Sequence, residues 1–192
     1  MIQRSRKVGA VTPSSAPCPP TAPIGSAAHA AARSPFGAAA AAVLTGAALV
    51  LSGCTVRVPP GPDAANPECA PIIVSLPDEL IGLERRETTS QSTAAWGEGE
   101  KTVVLRCGVE PPPPTTDLCT TMKSASGTVD WIVREDDETG IVTFTTYGRS
   151  PAVDITVPRA AAPDQPSSAP LGVAGLVAPI EQTKFCVGPG EA

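Results

Sequence analysis

The apolar run FGAAAAAVLTGAALVLS, residues 36–52, divides the chain and decides which residues are available to build a domain. Before it, MIQRSRKVGAVTPSSAPCPPTAPIGSAAHAAAR carries Arg4, Arg6, Lys7 and Arg33, has no acid, and holds little that could fill a core. A basic lead followed by an uncharged apolar stretch and small residues is the plan of an export signal. Basic residues flanking an apolar span resist translocation, so residues 1–33 stay on the cytoplasmic side and the chain beyond the run is carried outward. Any globular fold is therefore expected after residue 53, which leaves room for one domain.

The run closes on Leu51-Ser52-Gly53-Cys54, which resembles the lipobox of bacterial lipoproteins. The resemblance implies a diacylglyceryl thioether on Cys54, cleavage between Gly53 and Cys54, and a mature chain that begins at the cysteine. The thiol accepts the lipid, and the small residues let the backbone enter a peptidase. The alternative is an uncleaved single-pass anchor, for which 17 residues lie at the short end of the usual span of about 17–25. Both forms give the same topology, on the outer face of the cytoplasmic membrane.

All 19 acidic residues follow Cys54, against 10 basic ones, a formal charge of −9 for that part. This balance disfavours nucleic acid as a partner and favours solubility.

Four cysteines remain after Cys54: Cys69, Cys107, Cys119 and Cys186. An even number in an exported domain reads as two disulfides with three possible pairings. No C-x-x-C spacing supports a metal, and no cofactor is expected. Cys107 and Cys119 flank the PPPP stretch, so local closure favours that pair and leaves Cys69 to join Cys186. The longer bridge would then stabilise by about 4–5 kcal/mol. The sole histidine is His29, in the basic lead, so histidine-dependent catalysis and ligation are not expected of the domain. No S-x-x-K motif replaces it.

Residues 54–66 are Pro-rich and aperiodic and read as a tether, with the domain spanning 67–189. PECAPIIVSLPDELIG suggests a short helix stopped at Leu76-Pro77. Ser90 to Gly99 reads as a polar loop containing Trp96. KTVVLRCGV suggests a strand. TVDWIVRE places Val129, Trp131 and Val133 on one face and Asp130, Ile132 and Arg134 on the other, and GIVTFTTYG completes a hairpin. PAVDITVP is a further strand with Val153, Ile155 and Val157 inward, and PLGVAGLVAPIEQTKFC suggests a closing helix. The expected fold class is α+β, a small antiparallel sheet with N- and C-terminal helices, stabilised by disulfides.

Candidate sites are few. Glu135-Asp136-Asp137-Glu138 lacks calcium-loop spacing and reads as a solvated turn. Asp130 and Asp154 are the carboxylates that a histidine-free hydrolase could use. Pro111 to Pro114 reads as a stiff loop. Trp96 and Trp131 could stack on a sugar, though core packing is the plainer role. In TTYGRSP, Tyr147 and Arg149 flank a turn glycine, and Arg149 could fork onto a small anion if it has no internal partner and a cleft opens beside Gly148.

Trp96-Gly97, VVLRCGV, VDWIV, TTYGRSPAVDITVP and a final cysteine in a C-terminal helix together resemble an actinobacterial family of exported lipoproteins, the domain of unknown function 3515. The resemblance covers most of residues 67–187 and implies an envelope protein with no assigned activity, cofactor or catalytic residue. The expectation is a lipid-anchored, non-enzymatic binding or structural accessory, held to the membrane through Cys54 and facing another envelope protein.

Overall fold

A computed structural model describes residues 55–187. Cys54, the expected lipid site, and the expected signal segment lie outside them. The elements run α1 (Cys69–Ser75), β1 (Glu79–Leu80), β2 (Leu83–Arg86), β3 (Thr93–Trp96), β4 (Val103–Val109), β5 (Leu118–Ser124), β6 (Gly127–Asp136), β7 (Ile141–Thr146), β8 (Ala152–Pro158) and α2 (Ser168–Val177). The strands form one eight-stranded antiparallel sheet in the order β1-β2-β3-β4-β8-β7-β6-β5.

This corrects the α+β expectation. The fold is mostly sheet, with helices of only 7 and 10 residues. Neither helix is terminal: packed chain precedes α1, and an extended tail follows α2. Pro179 stops α2 two residues past Val177, so Cys186 lies in that tail and not in a helix. In α1, Pro71 is tolerated because it falls in the first turn, whose N–H groups have no helical partner. The helix ends at Leu76, turned extended (ψ 140°) by Pro77.

The β6–β7 hairpin and β8 form as the alternation predicts, with Val129, Trp131, Val153, Ile155 and Val157 buried. Two strands differ from expectation. The stretch read as a polar loop contains β3, TAAW, all four residues of which are buried. Its two central alanines carry little intrinsic strand preference, and here ladders to β2 and β4 on either side impose the strand. LCTTMKS, which has no clear alternation, becomes edge strand β5.

One face of the sheet carries the core. Trp96, Leu105, Trp131, Phe144 and Ile155 pack against Ala169, Val173, Ala174 and Val177 of α2, Ile72 of α1 and Leu76 just after it. Val173 and Val177 have no exposed surface, and burying each stabilises by about 1.5–3 kcal/mol. Trp96 satisfies its indole N–H on the Pro77 carbonyl at 3.0 Å. Arg85 donates to the carbonyls of Ile73 and Leu76, covering the C-terminal end of α1.

The disulfides are Cys69–Cys107 and Cys119–Cys186, with Cα separations of 5.6 and 5.5 Å. The local Cys107–Cys119 pairing is corrected. Cys107 sits on an inner strand facing α1, whereas Cys119 points to the other face, as the register shows: Cys107 pairs with Val153, and Cys119 with Ile132. Bridges spanning 38 and 67 residues each stabilise by about 4 kcal/mol in the chain-entropy model.

The Pro-rich stretch is not a free tether. Val56 bridges Thr88, donating to Glu87 O at 2.7 Å and accepting from Thr89 N at 3.1 Å. Val58 and Ala64 are buried, Asp63 N donates to Gly108 O at 2.9 Å, and Gln91 and Ser92 both donate to Ala64 O. A Cβ on Gly61 would overlap the Gly108 carbonyl oxygen, so only glycine allows this approach. The segment lacks periodicity because it is held by hydrogen bonds to the β2–β3 connection and to Gly108 of β4, not by an alternating apolar face.

Candidate functional site

The densest polar arrangement lies where the β7–β8 connection meets the C-terminal tail. Gly148, at φ 74°, turns the chain so that Arg149 points inward. A side chain at Gly148 would collide with the Lys184 carbonyl, so the tail occupies the position where a cleft was expected. Thr183 holds it by donating its N–H (2.7 Å) and its hydroxyl (3.0 Å) to Gly148 O.

Arg149 is only 4% exposed. Its guanidinium donates to Ala178 O at 2.9 Å, to Ile180 O, to Thr128 O at 3.1 Å and to Gln182 Oε1 at 2.9 Å. Gln182 in turn donates to Asp130 Oδ2 at 2.9 Å, which also receives the Cys186 N–H at 2.9 Å, while Asp130 Oδ1 receives the Thr121 hydroxyl at 2.6 Å. Burial lowers the Arg149 pKa, opposed by the charge of Asp130. Arg149 thus closes the tail onto the sheet and lacks the open cleft and free guanidinium that anion capture needs. Tyr147, half-buried, donates its backbone N–H to Asp130 O at 2.8 Å.

Asp154 is also 4% exposed and forms a two-point ion pair with Arg106, whose Nε lies 3.0 Å from Oδ1 and whose Nη2 contacts Oδ2. Burial raises the Asp154 pKa, and the hydrogen bond and charge of Arg106 oppose this. The raising wins because the carboxylate is almost wholly enclosed, while about a third of the Arg106 side chain remains in solvent.

Asp130 and Asp154 share the sheet face opposite the core, but β7 separates their strands. Asp154 pairs with Thr145 and Thr145 with Ile132, two residues from Asp130. That offset places their Cα atoms roughly 12 Å apart. Each carboxylate has its own partners, so the fold does not assemble them into an acid–base pair. The acidic turn is a structural feature: Asp136 Oδ1 receives the N–H groups of Glu138 and Thr139, which lowers the Asp136 pKa. Glu135 pairs with Arg159. Trp96 and Trp131 are fully buried and present no face to a sugar. Of the prolines in the PPPP stretch, Pro112 is buried and the others are exposed.

The sequence reading missed Gln182, which joins Arg149 to Asp130, and the Arg106–Asp154 pair. Both members of that pair stand in strands legible from sequence, and the β4–β8 register brings them together. It also missed a groove of about 350 Å³ between α1, α2 and the β5–β6 turn, lined by Ser75, Ser124, Ser126, Leu171 and Leu176 among others. Its hydroxyls and leucines suit an uncharged partner.

A family model described as a protein of unknown function, DUF3515, matches residues 36–183. The chain belongs to this family. The DUF3515 match takes in the apolar run, Cys54, both disulfides but for Cys186, and the Arg149 turn. No curated protein and no solved structure matches the chain.

Proposed function

We propose that this DUF3515 protein is a cell-envelope lipoprotein, anchored by lipid on Cys54 to the outer face of the cytoplasmic membrane, whose domain is a binding or structural accessory and not an enzyme. The observation that carries this reading is the oxidised state of all four cysteines after Cys54, paired as Cys69–Cys107 and Cys119–Cys186. Disulfides persist in exported proteins and are reduced in the cytosol. With these four cysteines consumed, the thiols left are Cys18, in the basic lead, and Cys54, whose place at the end of the apolar run makes it the one for lipid. Two acyl chains suffice for stable anchoring. An accessory role is supported by the internal engagement of Asp130, Asp154 and Arg149, and the groove beside α2 offers a place for an uncharged segment of another envelope protein. An actinobacterial origin is consistent with the Ala- and Pro-rich composition.

The test is the intact mass of the membrane-fraction protein before and after reduction, beside Cys54→Ser. The expected result is a chain starting at Cys54 with added diacylglycerol, four thiols only after reduction, and loss of the lipid in the variant. An unmodified, soluble full-length mass would overturn the reading.

A further inference from the structure

We infer that the domain sits flush on the bilayer in a fixed orientation, with the β2–β3 connection against the lipid headgroups and the acidic β6–β7 turn directed into solvent. This rests on the proposed anchor at Cys54. Val56 is already held by two backbone hydrogen bonds to Glu87 and Thr89 and by its bridge to Thr88. Only Thr55 then separates Cys54 from folded chain. Two residues reach at most roughly 7 Å, less than the width of the domain they carry. An uncleaved anchor ending at Ser52 lengthens this to four residues, at most roughly 14 Å, which is still a short connection for a domain of this size.

Strand register decides which surface faces the membrane. Thr93, Arg106, Asp154, Thr145, Ile132 and Cys119 form one row across the sheet. The β2–β3 connection lies beyond this row at one end of the strands. Trp96, Val103, Val142 and Glu135 lie toward the other end, beyond which Asp136 to Glu138 make their turn. The N-terminal segment continues across the first end, from Thr88 to Gly108, and adds to the pinned surface.

That surface suits a headgroup layer. Its exposed residues include Thr55, Arg57, Asp63, Glu87, Thr89 and Gln91, which are polar, with one basic side chain against two acids. The turn carrying four consecutive acids, which anionic headgroups would repel, is at the opposite end. A long tether would let the domain tumble and sample both orientations; the packed segment does not.

The experiment uses the full-length chain in vesicles whose headgroups bear a nitroxide quencher. A fluorescent amino acid replaces Arg57 in one sample and Asp137 in another, and lipidation is read by mass in both. The expected result is quenching several-fold stronger at position 57 than at 137. Inserting a flexible Gly-Ser linker of about 20 residues between Thr55 and Val56, with a root-mean-square span of about 25 Å, should remove the difference. Equal, weak quenching at both positions in an anchored protein would overturn this inference and leave the anchor standing. Absence of both lipid and membrane association would overturn the anchor reading and this one with it.

Discussion

Cys186 is bonded to Cys119 across 67 residues, and through that bond the C-terminal tail is fastened over Asp130 and Arg149. The disulfide and the polar network are one device. Phe185 and Val187 flank the bond and remain exposed, so apolar burial holds the start of the tail at Ile180 but not this end of it. Replacing both cysteines by serine should lower unfolding free energy by about 4 kcal/mol. Urea denaturation reads this loss, and hydrogen exchange should locate faster opening at Thr183 and Cys186. Unchanged exchange in the tail would show that its hydrogen bonds suffice alone.

Arg149→Ala removes four donor contacts and leaves buried carbonyls and Asp130 facing an empty site. The expected loss is about 3–5 kcal/mol, the range for breaking one side of a buried polar charge arrangement. Gln182→Ala should cost less, because Asp130 keeps the Thr121 hydroxyl and the Cys186 N–H. Wild-type stability in Arg149→Ala, measured by chemical unfolding, would contradict a structural role for this arginine.

The raised pKa of Asp154 has a definite sign in its effect on stability. A carboxyl that binds its proton more tightly when folded favours the folded state fully below its unfolded pKa of about 3.9. That contribution is lost as pH rises from there through the raised folded value. Asp154→Asn cannot ionise, so its unfolding free energy should lack this decline across the acid range. Thermal melts at stepped pH on both proteins test this, and parallel curves would refute it.

Gly61→Ala places a methyl carbon against the Gly108 carbonyl. Because the obstruction is backbone, relief requires the N-terminal segment to lift. Stability should fall by at least about 2 kcal/mol, and limited proteolysis should cut more quickly between Val58 and Asp63. A variant as resistant as the parent would mean that the segment is held elsewhere.

Local chemistry made several elements legible in the sequence alone. The alternation in TVDWIVRE and PAVDITVP determined two strands and which face each turns to the core, Asp136 to Gly140 determined the turn between β6 and β7, and Leu76-Pro77 determined where α1 ends. These depend on period, backbone restriction and side-chain hydrogen bonds within a few residues. Tertiary structure alone decided the rest. TAAW became a buried strand because neighbours on both sides supplied its ladder, and the Pro-rich segment joined the fold because the β2–β3 connection and Gly108 of β4 hydrogen-bond it. Cysteine pairing followed from which strand faces met, and Arg149 found its four acceptors on β6 and on the distant C-terminal tail. Such relationships depend on register and on chain ends brought together from far apart, and a one-dimensional pattern carries neither.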